Sequence, residues 1–169
     1  MKIAVTDACI FIDLIELRLM SQFFGLNIET HTSLDVYNEL YPEQQELLKA
    51  YQSTGKLIIH NLSQEEKIQI QKEAFPRSLS EIDKSVIFLA SKHNALVISS
   101  DKAVRNYASA RSIEYHGMLW IFDRLIDFNL LSENEAINKI QKLISNNVFY
   151  KNNMDLVSEI NKRIEKWSN

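Results

Sequence analysis

Four acidic residues stand where the chain is predicted to pass between strands and helices, and together they could bind metal ions. They are Asp7, Glu39, Asp83 and Asp101. Asp7 and Asp101 follow the short apolar runs Ile3-Ala4-Val5-Thr6 and Leu96-Val97-Ile98-Ser99-Ser100, which are typical of buried parallel strands. Ligands of open α/β sheets bind outside the carboxyl ends of such strands. We therefore expect the four carboxylates to converge at one sheet edge.

Converging carboxylates favour hard divalent cations. Like charges within about 4–6 Å repel one another and raise the pKa of each group, and Mg²⁺ or Mn²⁺ relieves this repulsion because both prefer oxygen ligands. Two such ions roughly 4 Å apart can activate a water and stabilise the leaving oxygen of an in-line phosphodiester displacement. We interpret all four acids as metal ligands and catalytic residues.

Each acid also has an ordinary structural interpretation. Asp83 is the last residue of a Ser80-x-x-Asp83 capping box, and Asp7 and Asp101 can cap the helices that follow them. Glu39 can be an exposed helical glutamate. Lys84, Lys102 and Arg105 lie beside the acids and are candidate phosphate contacts, although lone basic residues on helices are commonly just solvated.

Other chemistries have weaker signals. The histidines His31, His60, His93 and His116 are dispersed with no i, i+4 pair, so we expect no zinc cluster. The three glycines are widely separated, which excludes a glycine-rich phosphate loop. We interpret Cys9 as a small core residue and Asp13 as a solvated helix position, with a supporting role at the site as the alternative.

Strand and helix patterns alternate along the chain. Apolar runs predict strands at 2–6, 27–31, 56–60 and 96–100, with a fifth short strand at 113–116. Helices are predicted between them, including one opened by Thr32 that carries Glu39 and one from Ser80 through His93. This order calls for a parallel sheet with helices on both faces. The segment from Ser132 to Trp167 is predicted to form two helices without a strand partner.

Length and composition fit one globular domain. The chain has 169 residues, 46% of them hydrophobic, a net charge of −3 and one cysteine. We expect a single domain over 1–169, with an α/β core at 1–128 and a C-terminal helical extension at 129–169. The first strand is too short for a secretory or membrane segment, so we expect a cytoplasmic protein with no membrane partner. The net charge decides little about nucleic-acid binding.

Four segments together resemble the PIN-domain family, small metal-dependent nucleases that include the VapC-type toxins of bacterial toxin-antitoxin pairs. The segments are Val5-Thr6-Asp7-Ala8-Cys9, Val36-Tyr37-Asn38-Glu39-Leu40, Leu79-Ser80-Glu81-Ile82-Asp83 and Val97-Ile98-Ser99-Ser100-Asp101-Lys102. Gly117-Met118-Leu119 and the helices after it extend the resemblance over nearly the whole chain.

The resemblance implies a three-layer α/β/α fold with a central parallel sheet of four or five strands and a C-terminal helical extension. It also implies an acidic pocket for Mg²⁺ or Mn²⁺, cleavage of RNA, an antitoxin protein as a candidate partner, and a candidate homodimer. One departure is that the family has Thr or Ser directly after its first Asp, whereas this chain has Ala8-Cys9. Ser100 is the better candidate for the missing support, because Thr6 alternates to the other side of the strand.

Two functions therefore stay open. The first is a metal-dependent ribonuclease, the toxin of a type II toxin-antitoxin pair. The alternative is a catalytically weak or inactive PIN-like module that binds RNA or protein. An apolar stripe in the last helices would then serve association, although we favour its packing on the sheet; it comprises Ile137, Ile140, Ile144, Leu156, Ile160 and Ile164.

Overall fold

A five-stranded, all-parallel sheet forms the centre of the fold in a computed structural model that describes residues 1–169. Its strand order is β3-β2-β1-β4-β5. The strands are β1 (Lys2–Thr6), β2 (Ile28–Ser33), β3 (Leu57–His60), β4 (Leu96–Ile98) and β5 (Tyr115–His116). The prediction of an α/β fold with four or five parallel strands is confirmed.

Eleven helices connect and follow the strands. They are α1 (Ala8–Glu16), α2 (Met20–Phe23), α3 (Leu34–Glu39), α4 (Pro42–Ser53), α5 (Gln64–Lys72), α6 (Glu81–His93), α7 (Lys102–Ala110), α8 (Met118–Asp127), α9 (Glu133–Asn146), α10 (Val148–Lys151) and α11 (Met154–Ser168). None of them is long and apolar enough to cross a membrane.

The chain divides into two compact units. One unit comprises 1–12 and 27–118, and the other comprises 13–26 and 119–169. All five strands belong to the first unit, whose central strand β1 is buried at Ala4, Val5 and Thr6.

Helix α6 covers one face of the sheet in the first unit. Ser85 and His93, eight residues apart, lie on one side of this helix, since residues four apart are neighbours on a helix surface. The Ser85 hydroxyl lies 2.7 Å from the Ser33 hydroxyl on β2, and the His93 ring lies against the His31 ring two residues earlier on the same strand. Asn94, the C-cap of α6, adopts the left-handed conformation.

Serine residues begin several helices as caps. The predicted capping box at Ser80 is present, and Ser63 and Ser132 open further boxes. The expected Thr32 cap is wrong: Ser33 accepts from the Val36 amide at 3.1 Å, while the Thr32 hydroxyl donates to the Thr6 carbonyl at 2.7 Å. The helix is then interrupted, because Pro42 lacks an amide hydrogen and begins α4 as a new helix.

The second unit is helical. The C-terminal segment forms three helices instead of the predicted two, because Asn147 and Asn153 act as the N-caps of α10 and α11. In the apolar stripe, Ile140 and Ile160 are fully buried, and the other four members are half-buried. Arg163 of α11 binds Asp123 of α8 through two nitrogens, at 2.8 and 3.0 Å.

Candidate active site

Asp7 follows the last residue of β1 and is the buried centre of the site. Only 7% of it is exposed. Its Oδ1 accepts from the Cys9 thiol at 2.7 Å and from the Ile10 amide at 3.3 Å, and its Oδ2 accepts from the Ser99 hydroxyl. Each carboxylate oxygen has two lone pairs. Three donors therefore leave acceptor capacity on Oδ2 for one further partner.

Burial raises the pKa of Asp7 to about 6. Removal from water disfavours the charged form. The hydrogen bonds from Cys9, Ser99 and Ile10 act in the opposite direction, and the negative charge of Asp83 adds a smaller increase. Asp83 is thus near enough for its charge to act on Asp7, as the sequence predicted for these two acids.

Ser99 connects Asp7 to the start of α7. Its hydroxyl donates to Asp7 and accepts from the backbone amide of Asp101 at 3.0 Å. Asp101 is the N-cap of α7, where its Oδ1 accepts from the Val104 amide at 3.0 Å. Its side chain is exposed, so its second oxygen can meet a ligand from solvent.

Asp83 and Glu39 differ in how firmly they are held. The half-buried Asp83 accepts from the Ser80 amide at 2.8 Å through Oδ2. Glu39 is exposed at the end of α3. The charge of Asp83 acts on Asp7, and the Ser99 hydroxyl connects Asp7 to the backbone amide of Asp101. As the side chains stand, the four acids do not form one ligand cluster.

The residues expected to support the acids are placed unequally. Thr6 is fully buried, and its hydroxyl oxygen has no hydrogen-bond partner. Ser100 is largely buried, and its amide donates to the Cys9 sulfur at 3.4 Å. The hydroxyl that binds Asp7 belongs to the preceding residue, Ser99.

The candidate phosphate contacts also differ in their partners. Lys84 donates to Glu81 at 2.6 Å, and the Arg105 guanidinium lies over the Tyr115 ring at 5.3 Å. Lys102 is exposed and forms no ion pair. Of the three, only Lys102 can contact a phosphate without giving up an existing interaction.

Cys9 was missed by the sequence interpretation. It is half-buried and contacts Asp7, so its assignment as a core residue is wrong. The family that this chain resembles has a hydroxyl residue directly after its first Asp. In this chain the Cys9 thiol, two residues after Asp7, donates to the Asp7 carboxylate instead. The helical turn from Asp7 to Ile10 was a usable signal, because a side chain at the start of a helix lies beside the carboxylate that caps it.

Asp13 is also buried, within the second unit. Only 3% of it is exposed, and its carboxylate accepts from Asn147 at 3.2 Å and from the Tyr150 hydroxyl at 3.1 Å. Burial raises the pKa of Asp13 to about 6. The expectation of a solvated position is wrong, because two donors 134 and 137 residues away in sequence surround it.

The histidines are not dispersed in space. His31, His60 and His93 each present a ring nitrogen, and these nitrogens lie within 4.8 Å of one another. The expectation that the histidines are dispersed is therefore wrong for these three, whose ring nitrogens lie close enough to hold a metal ion. The i, i+4 test finds pairs on one helix only, whereas these three residues come from β2, β3 and α6.

Comparisons with known proteins agree with this fold. A family model described as a PIN domain matches residues 3–166. The chain is similar in structure to a PilT N-terminus domain protein from the hyperthermophilic archaeon Sulfolobus solfataricus P2, with a TM-score of 0.50 and 17% identity over 73% of this chain and 93% of that one. At that identity the likeness shows the fold alone. A search of the curated proteins finds no match.

Proposed function

Because this chain belongs to the PIN-domain family, whose members are generally nucleases, we propose that it is a Mg²⁺- or Mn²⁺-dependent endoribonuclease. The proposal depends mainly on the buried position of the Asp7 carboxylate at the carboxyl end of the central strand. Burial raises the pKa of Asp7 to about 6, and the charge of Asp83 adds a small increase. Stability alone disfavours such a group.

The donor set fits a hard divalent cation. Asp7, Asp83 and Asp101 offer carboxylate oxygens, and Mg²⁺ and Mn²⁺ prefer oxygen ligands. Asp7 and Asp101 would be direct ligands, with Asp83 and Glu39 completing the site or orienting waters. The bound ion supplies an activated water and charge stabilisation for phosphodiester hydrolysis.

The chain's own residues prepare this site. Ser99, Cys9 and the Ile10 amide fix the orientation of the Asp7 carboxylate by donating to it. Lys102 would contact an RNA phosphate beside Asp101. Its exposed position supports that role.

Cleavage of RNA is the direct test. The parent is expected to cut RNA with Mg²⁺ or Mn²⁺ and to stop when EDTA is added, and Asp7→Asn is expected to lose activity while staying folded. Asp35→Asn is the matched control, because Asp35 is an exposed acid in the first turn of α3. Equal cleavage by the parent and Asp7→Asn would refute the assignment.

We further propose that the biological role is that of a toxin in a type II toxin-antitoxin pair. RNA would be the substrate and an antitoxin protein the partner, with a homodimer as the candidate assembly. Exposed Val148, Phe149 and Met154 in the second unit offer apolar area for association. Induced expression in bacteria is expected to stop growth with the parent and not with Asp7→Asn; normal growth with both would remove the toxin role.

A binding module with weak or no catalysis is the second candidate. It is favoured by Ala8-Cys9 in place of the family's hydroxyl residue. Under this alternative, RNA binding persists in the parent and in Asp7→Asn, and neither protein cleaves.

A further inference from the structure

Three imidazole rings meet between the sheet and α6. His31 lies in β2, His60 ends β3 and His93 ends α6. The ring centroids are 4.9 Å apart for His31 and His60, 5.2 Å for His31 and His93, and 4.8 Å for His60 and His93. Three nearly equal separations describe a triangle of rings around a common centre.

The fold itself creates this triangle. Ser33 pairs with His60 in the sheet register, and His31 lies two residues before Ser33 on the same face. Helix α6 covers that face, with Ser85 against Ser33 at one end and His93 against His31 eight residues later. Each ring therefore comes from a different element, and each element is fixed by the core.

Ring nitrogens, not only ring faces, converge. His60 Nε2 lies 3.0 Å from His31 Nδ1. His93 Nε2 is buried and has no hydrogen-bond partner. A buried polar atom without a partner is destabilising, and a metal ion at the centre would bind all three nitrogens.

The outer contact of His31 fits metal binding. His31 is 3% exposed, and its Nε2 lies 2.7 Å from Glu29 Oε1. When this nitrogen donates to the carboxylate, Nδ1 keeps its lone pair for the centre of the triangle. Metal-bound histidines usually donate their other N–H to a carboxylate or carbonyl in this way.

We propose that His31, His60 and His93 bind one transition-metal ion of the Zn²⁺ class, separate from the acidic site. Neutral imidazole nitrogens suit zinc, copper and nickel, whereas Mg²⁺ and Mn²⁺ prefer oxygen. Three protein ligands leave a fourth position of a tetrahedral site for water or another ligand.

The geometry agrees with this assignment. In a tetrahedral site with Zn–N bonds of about 2.0–2.1 Å, the ligand nitrogens lie about 3.3 Å apart. The three ring nitrogens lie within 4.8 Å of one another, so binding the ion would draw them closer.

Access from solvent is available. His60 and His93 are half-buried. His93 also lines a cleft of about 740 Å³ beside β1 and β4. On the other side, Glu66 pairs with Lys92 next to the cluster.

The test uses the full chain, purified without a polyhistidine tag and freed of metal with a chelator. Calorimetric titration with ZnCl₂ is expected to give one tight equivalent and a raised melting temperature. His60→Gln and His93→Gln are each expected to weaken Zn²⁺ binding at least tenfold, and Glu29→Gln about 10- to 100-fold. His116→Gln is the matched control, because His116 on β5 lies outside the cluster and is expected to keep parent affinity.

The variant Asp7→Asn distinguishes zinc binding at the histidines from zinc binding at the acidic site. Asp7→Asn is expected to keep the zinc equivalent. Loss of zinc in Asp7→Asn with retention in His60→Gln would place the ion at the acids and overturn the proposal, as would a parent that binds no Zn²⁺. Circular dichroism shows whether each variant is folded. If one histidine variant is unfolded, the other decides the outcome. The result is independent of RNA cleavage.

Discussion

Replacing Asp7 with Asn is expected to stabilise the metal-free protein at neutral pH. The Asp7 carboxyl has an ordinary pKa of 3.8 and a native pKa of about 6. Between these values the native state binds more protons than the unfolded state, so stability falls as the pH rises through this window. A pKa shift of roughly two units lowers the free energy of unfolding by about 3 kcal/mol. This destabilisation is complete above pH 6 and absent below the pKa of the unfolded state.

The variant removes this dependence because Asn does not ionise. We expect Asp7→Asn to exceed the parent by about 1–3 kcal/mol at pH 7 and by close to nothing at pH 3.5, where both side chains are uncharged. The gain in stability is smaller than about 3 kcal/mol if the Asn amide accepts the Ser99 hydrogen bond less well than the carboxylate does. Urea unfolding with EDTA present at pH 3.5, 5 and 7 measures the difference.

Asp101→Asn is the matched control for this series. Asp101 is an exposed N-cap, and Asn caps helices about as well as Asp. We expect its stability to stay within a few tenths of a kcal/mol of the parent at every pH. A parent that is more stable than Asp7→Asn at pH 7, or a difference that does not change with pH, would refute the burial argument.

Three further predictions follow from single contacts. Ser99→Ala removes the donor to Asp7 and the acceptor for the Asp101 amide, and is expected to lower the free energy of unfolding by about 1–3 kcal/mol at pH 7, measured by urea unfolding. Tyr150→Phe removes the hydroxyl that donates to the buried Asp13, and is expected to lower the free energy of unfolding by about 1.5–3 kcal/mol at pH 7. The loss is expected to be smaller at pH 3.5, where Asp13 is protonated, and equal losses at both pH values would contradict this. Lys102→Ala is expected to weaken RNA binding in filter-binding assays without changing the melting temperature, whereas Lys84→Ala has the smaller effect because Glu81 already holds Lys84. The reverse order would remove Lys102 as a phosphate contact.

The sheet, and the places of Asp7 after a strand and Asp83 in a helix start, could be predicted from the sequence because their signals are local. The strand Ile3-Ala4-Val5-Thr6 ends at Asp7, and the Ser80-Asp83 box marks a helix start; both depend on neighbours in the chain. The family match and the all-parallel sheet confirm the fold.

Contacts between distant segments could not be predicted in the same way. Ser99 and Ser100 are identical in type, and only the twist of the chain after β4 decides that Ser99 reaches Asp7. The burial of Asp13 could not be predicted because Asn147 and Tyr150, which offset part of the cost of burying it, lie far away in the sequence.

The histidine triangle shows the same limit. Residues 31, 60 and 93 have no shared period on one helix, and their meeting depends on the register of β2 with β3 and on the position of α6. A periodicity test examines one element at a time, so a site assembled from three elements is invisible to it.

Diffraction from a crystal soaked in Mn²⁺ tests the central assignment most directly. Anomalous scattering is expected to show manganese within coordination distance of the Asp7 carboxylate, with Asp101 or Asp83 as a further ligand, and to show none there in Asp7→Asn. A parent crystal with no manganese at Asp7, or with manganese only at other carboxylates, would contradict the account.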